Sequence, residues 1–266
     1  MIIDFHCHVF PDKIASKAIA SLCKSGGTTP FLNGTVKDLR RSMKESGISY
    51  SVILPIATKP SQVVSINDFV ISQHKKEGII SFGAIHPLYE HWEEELCRLK
   101  EAGIPGIKLH PDFQGLFVDD ESMVVVMERA AELGMMILVH GGMDVSFPEV
   151  HRCTPERLNR ILPRLEKKRG VLIAAHLGGY GYLDDVERLL VGRNLYLDLS
   201  FVLGRFPREQ IVRILENHPA DRLLFGTDSP WDGQKRMVEE VEGLPLSEER
   251  KRKLLYENGA RLLGLL

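Results

Sequence analysis

The stretch MIIDFHCH (residues 1–8) sets a short apolar run directly against two histidines. Such a run reads as a strand. Residues i and i+2 of a strand share a face, so His6 and His8 point one way and Cys7 the other. Working outward, further short apolar runs follow at regular intervals. The expected strands are Ile2–His6, Tyr50–Pro55, Ile79–Ile85, Gly106–His110, Met135–His140, Val171–His176, Leu195–Ser200 and Leu223–Thr227. Amphipathic helical patterns lie between them, at Asp38–Ser46, Trp92–Ala102, Ser122–Leu133, Pro155–Lys168, Leu183–Val191 and Arg208–His218. Thr154 and Pro155 form a cap residue followed by proline, and Gly103, Gly134 and Gly170 stand where helices stop. Strands alternating with helices imply a parallel sheet. Eight such units in 266 residues suggest one closed (β/α)8 TIM barrel spanning residues 1–266. An open doubly wound sheet is the weaker reading, because no GxGxxG turn follows the first strand. The last helical patterns, near Glu248–Leu255 and Gly259–Leu263, close the bottom of the barrel or flank it. SGGTTPFLNG (25–34) reads as a long loop over the end of the first strand.

Composition narrows the function classes. Hydrophobic residues make up 44% and charged residues 26%, the profile of a globular protein that buries a sizeable core. A net charge of −2 offers no long-range attraction for nucleic acid or an anionic membrane. The longest apolar runs, such as MMILV (135–139), are far too short to span a bilayer. The opening residues read as strand and site rather than as a signal peptide. Cys7, Cys23, Cys97 and Cys153 are scattered and form no CxxC pair, so reduced thiols and a cytoplasmic location are expected. The expected partner is a small molecule; self-association into a homo-oligomer stays open.

The chemistry of such a barrel sits at the carboxyl ends of its strands. The first strand runs out into His6 and His8, the fourth ends in Lys108 and His110, the fifth in His140, the sixth in His176, and the eighth reaches Asp228. Strand parity pairs Leu138 with His140, Ala174 with His176 and Gly226 with Asp228. Neutral imidazoles with a carboxylate suit zinc, manganese or iron. A catalytic ion leaves a position for water, and the carboxylate can take a proton from that water.

These positions resemble the amidohydrolase superfamily. IDFHCH (3–8), GIKLHP (106–111), AAHLGG (174–179), FGTDSPW (225–231) and the closing NGARLLGL (258–265) are similar to its amidohydrolase-related branch, which holds hydrolases and zinc-dependent non-oxidative decarboxylases. The resemblance implies one or two divalent ions, zinc first and manganese or iron next. It implies ligation by His6, His8, His140 and Asp228, with His176 as a further ligand or a catalytic group. Lys108 either carries a carboxylate that bridges two ions or remains an ammonium paired with Asp228 or substrate. Asp228 and His176 are the candidate catalytic groups. His110, Arg205 and Trp231 are the candidate substrate contacts, an arginine there suiting a carboxylate.

Metal-assisted hydrolysis of an amide, lactone or ester leads. Decarboxylation of an unsaturated or aromatic acid is its rival, and a non-catalytic metal-binding protein the reading outside enzymology. A nuclease fits less well, since the chain is not basic and Lys108 stands where nuclease relatives usually carry glutamate. Single histidines carry bland readings too. His86 and His110 each precede proline and suit a loop-fixing role, while His74, His91 and His218 read as surface residues of helices. Asp4, Asp198 and Ser200 are candidates to steady the ligands, and Gly141–Gly142 and Gly178–Gly179 to let loops pass close to the site. Phe147, His151 and Tyr180 fall in loops above the mouth.

Overall fold

A computed structural model describes residues 1–266. The strands β1 (Ile3–Cys7), β2 (Tyr50–Ile53), β3 (Ile79–Ser81), β4 (Gly83–Ala84), β5 (Gly106–Leu109), β6 (Met136–Val139), β7 (Leu172–Ala174), β8 (Tyr196–Asp198) and β9 (Leu223–Leu224) follow one another in space as in sequence. Every pairing is parallel. The run expected as one strand over Ile79–Ile85 is split at Phe82, whose N–H donates to Ile53 O at 3.0 Å. Beyond the split, Gly83 lies so close to Leu99 that a Cβ there would fall 2.3 Å from Leu99 Cδ1. The ring closes where Phe5 N–H donates to Phe225 O and Asp228 N–H donates to His6 O, both at 2.8 Å. The fold is the (β/α)8 barrel.

Helices cover the strands: α1 (Asp12–Gly26), α2 (Val36–Ser46), α3 (Val63–Gln73), α4 (Trp92–Glu101), α5 (Pro111–Gln114), α6 (Glu121–Glu132), α7 (Pro155–Lys167), α8 (Leu183–Leu189), α9 (Arg208–Asn217) and α10 (Gln234–Glu242). A final helical segment runs from Glu248 to Leu262. Four of these, α1, α3, α5 and α10, were not among the expected helices. The sequence of α3, VVSINDFVISQ, is rich in β-branched residues that disfavour a helix, and packing overrides that preference. In α1 the apolar residues form two stripes rather than one, which blurs the helical period, and α10 is largely charged. No helix is long and apolar enough to cross a membrane.

Two apolar layers follow from this geometry. Inside the barrel, Phe5, Leu54, Phe82, Leu138, Ile173 and Leu224 fill the floor beneath the site, and Ala260 of the final helix plugs it from below. Between sheet and helices lies a larger cluster of 54 buried residues. In β1 an extra residue is inserted: Asp4 pairs with Ser51 but Cys7 pairs with Ile53. Such a bulge re-aims side chains. It lets Phe5 belong to the floor while His6 and His8 still enter the mouth. Parity fails on the sixth expected strand. Ile173 and Ala175 face the interior and Ala174 the helices, so His176 enters the site through a left-handed turn (φ 56°) rather than by alternation.

His218 is a second correction. It is buried at 1% exposure, with Nε2 donating to Leu195 O at 3.0 Å and Nδ1 accepting from Gly192 N–H at 3.3 Å. His74 is likewise engaged, accepting from Ser81 N–H at 3.0 Å, and only His91 is an exposed surface residue. Burial lowers the His218 pKa to about 4. A histidine that is harder to protonate when folded stabilises the native state above its unfolded pKa of about 6.5 and loses that stability as pH falls toward the folded value. Between pH 7 and pH 5 the loss should be about 2 kcal/mol from this residue. Urea unfolding of wild type and His218→Gln at the two pH values measures it. Equal pH dependence in both proteins would refute the assignment.

Candidate metal centre

The carboxyl ends of β1, β7 and β9, with the turns that follow, bring His6, His8, His176 and Asp228 together. His6 is fully buried and His8 partly so. The protonation pattern follows from fixed acceptors. His8 Nδ1 lies 2.7 Å from Leu54 O, a carbonyl that can only accept, so Nδ1 carries the proton and Nε2 a lone pair. His6 Nδ1 lies 2.8 Å from Asp198 Oδ2, which fixes the same tautomer. His6 Nε2 and His8 Nε2 are then 3.2 Å apart, and each stands 3.1–3.2 Å from Asp228 Oδ1. Three lone-pair atoms thus converge with no proton between them. Tetrahedral ligands at 2.0–2.1 Å from zinc would be separated by about 3.4 Å, so the triangle fits a small divalent ion.

Electrostatics support the same reading. Burial, reinforced by the Lys108 cation, lowers the His6 pKa to about 3, leaving a neutral imidazole. Burial alone would raise the Asp228 pKa, but the close approach of the His8, His6 and His176 rings holds it well below the usual carboxylate range. Asp198, fully buried, is held down in the same sense by His6. It also accepts from the His176 and Ser200 N–H groups, both at 3.0 Å. Asp198 and Ser200 therefore orient His6 and His176, a supporting role typical around metal ligands. Asp4 ties the layer beneath together, accepting from His6 N–H, Thr227 N–H and Oγ1, and Gln234 Nε2.

His140 takes a different position. Its Nδ1 lies 3.2 Å from His176 Nε2, while Nε2 is buried with no hydrogen-bond partner. His176 Nδ1 faces Ser200 O at 3.0 Å, so its Nε2 accepts from His140 Nδ1–H. Burial pushes the His140 pKa well below its ordinary value. His110 stacks on His140 at 4.2 Å between centroids and 15° between planes, with Nε2 3.3 Å from Asp144 Oδ2. His110, His140 and Asp144 are close enough to share an ion. The lone pairs of stacked rings lie in nearly parallel planes that do not meet at one point, so this trio converges less well than His6, His8 and Asp228. Asp144 escaped the sequence reading because its loop, GGMDVSFP (141–148), carries no periodic signal.

Lys108, at 1% exposure, makes a single hydrogen-bond contact, to His6 Nε2 at 3.4 Å. Burial lowers its pKa to about 8, so it remains mostly an ammonium at pH 7. Above these groups opens a cavity of about 600 Å³ lined by His110, Trp231, Tyr180, Phe113 and Phe201 among others. Arg205, expected as a substrate contact, does not line it. Its guanidinium pairs with the fully buried Asp232 at 2.6 Å and lies over the Phe201 ring at 3.6 Å. A buried carboxylate needs such a partner, which explains the commitment. His151 and Phe147 also lie off the cavity, His151 against Tyr182 and Phe147 against Phe113. Gly142 is the close approach expected of the glycine pair: at φ 90° a Cβ would lie 2.1 Å from Tyr180 N.

A barrel with this imidazole–carboxylate cluster at its carboxyl end presents the kind of donor set with which TIM-barrel enzymes hold a divalent ion. The match to a family model over residues 3–265 makes the family specific: the chain belongs to the amidohydrolase family. No curated protein matches it. An uncharacterised TIM-barrel protein from Bordetella bronchiseptica superposes with a TM-score of 0.80 at 18% identity, covering 99% of this chain and 98% of the other. A dihydroxybenzoic acid decarboxylase from Polaromonas, with bound manganese and 2-nitroresorcinol, gives 0.71 at 19% identity, covering 99% and 97%. A probable 2-pyrone-4,6-dicarboxylic acid hydrolase from Acinetobacter baumannii gives 0.67 at 17% identity, covering 99% of each.

Proposed function

We propose that the protein is a divalent-metal-dependent hydrolase acting on an ester, lactone or amide. The convergence of His6 Nε2, His8 Nε2 and Asp228 Oδ1 carries this reading. When bound there, a divalent ion polarises the carbonyl and brings the pKa of water toward roughly 7 if it is zinc. Zinc is the proposed ion, with manganese, bound by the Polaromonas decarboxylase, the alternative. Asp228 lines the cavity and engages the histidines through Oδ1, which leaves Oδ2 to receive the proton of the attacking water. Asp228 then passes that proton to the leaving group, and His176, on the same wall and oriented by Asp198 and Ser200, is the alternative acceptor.

Lys108 favours a second reading, non-oxidative decarboxylation. An ammonium on the cavity wall with no carboxylate bonded to it could seat a substrate carboxylate beside His6. Reconstitution with zinc or manganese and turnover of lactones, esters, amides and aromatic acids, following acid release and CO2 together, tests both. Acid release without CO2 is expected. CO2 without a hydrolysis product would replace the first reading with the second.

Metal number gives a separate prediction. Because only one trio of donors converges well, one ion per chain is expected, and Lys108→Met should leave that stoichiometry unchanged. A carboxylated Lys108 bridging two ions about 3.5–4 Å apart predicts instead that the variant drops from two ions to one. Elemental analysis of protein prepared without chelator decides.

A further inference from the structure

Helix α1 is apolar on two sides. Ala15 and Ile19 are buried against the protein, which is all that docking one helix requires. Ile14, Ala18 and Leu22, each one turn apart, face the cavity instead. Helix α3 adds Ile66 and Phe69 to the same wall. Several polar groups at this end are engaged within the protein: Gln62 Oε1 accepts from Thr58 N–H at 2.9 Å and Lys59 N–H at 3.1 Å, and Ser65 Oγ donates to Gln62 O at 3.1 Å. Away from the metal end, the lining carries one charge, Lys13.

The cavity of about 600 Å³ is continuous from His6 and Asp228 to this apolar end. Pockets of roughly 300–1,000 Å³ bury most of a drug-sized ligand. A single-ring acid seated at the metal would leave the apolar half of the space in contact with water, a standing hydrophobic penalty. We infer that the substrate carries its reacting carbonyl at one end of an extended apolar arm. The arm lies between α1 and α3, against Ile14, Ala18, Leu22, Ile66 and Phe69. These residues set specificity by arm length, not by a second polar anchor. The inference rests on the proposed metal centre as the place where the reacting end is held.

Straight-chain alkyl hydroxamates test it without turnover, because the hydroxamate head chelates a metal while the chain samples the arm site. Their dissociation constants for the zinc-reconstituted protein are measured calorimetrically from acetohydroxamate upward. Each added methylene should tighten binding about fourfold until the arm site is full, the value expected for burying a CH2 group. Ala18→Trp should fill the arm site. It should abolish the gain with chain length and leave acetohydroxamate affinity unchanged, which also shows that the variant is folded and metal-loaded. Equal affinity along the series in wild type would overturn the inference, as would an Ala18→Trp series as steep as that of wild type. Failure of acetohydroxamate itself to bind the metal-treated protein would overturn the metal centre beneath it.

Discussion

Asp228→Asn should retain part of its metal and lose at least ~10²-fold in kcat, the usual share of general acid–base catalysis. The substitution keeps the shape and one oxygen able to approach the ion, at the place where Oδ1 meets both histidine Nε2 atoms. It removes the negative charge and nearly all of the basicity. In wild type the carboxylate stays ionised because His8, His6 and His176 outweigh its burial, so it is a ready but weak base. Its strength comes from position: a proton acceptor within hydrogen-bond reach of the attacking water acts without a search. The decisive comparison is kcat and metal occupancy for Asp228→Asn against His176→Asn. Near-normal turnover in Asp228→Asn with loss in His176→Asn would reverse the two roles.

The fold was legible because its signal is repetitive. Eight short apolar runs separated by helical stretches leave little besides a parallel barrel, and errors at single elements do not disturb that count. In some misread elements packing overrode local preference. Helix α3 is held by the barrel despite its β-branched residues, and the third expected strand breaks at Phe82 where Leu99 crowds Gly83.

The site was legible where chemistry follows the strand and obscure where it follows loops. His6 and His8 share a face as alternation requires, although the bulge before them has no mark in the sequence. His176 lies beside His6 and Asp228 through its left-handed turn, not through the strand parity expected of it. Asp144 and the Arg205–Asp232 pair depend on loop paths that no periodicity encodes. An arginine near a barrel mouth suits an anionic substrate equally well until its buried carboxylate partner is seen.

His6→Ala and His8→Ala should each weaken metal binding by more than ~10²-fold, beyond what loss of a supporting partner typically costs. Their effects on stability should differ. His8 is partly exposed, and its Nδ1 bond goes to a backbone carbonyl. Removing it should leave the metal-free barrel nearly as stable as wild type, because the inner floor and the 54-residue outer cluster do not involve it. His6 is fully buried and holds Asp198 at 2.8 Å. Its removal leaves a carboxylate in the interior with only Ser200 and two backbone N–H groups to compensate. Because His6 is neutral, its removal costs a buried carboxylate one hydrogen bond rather than an ion pair, typically about 1–3 kcal/mol. Metal titration and urea unfolding of both chelator-treated variants separate the two effects. Full metal occupancy in either variant would refute the convergent triangle. Equal destabilisation in both would show that Asp198 does not depend on His6.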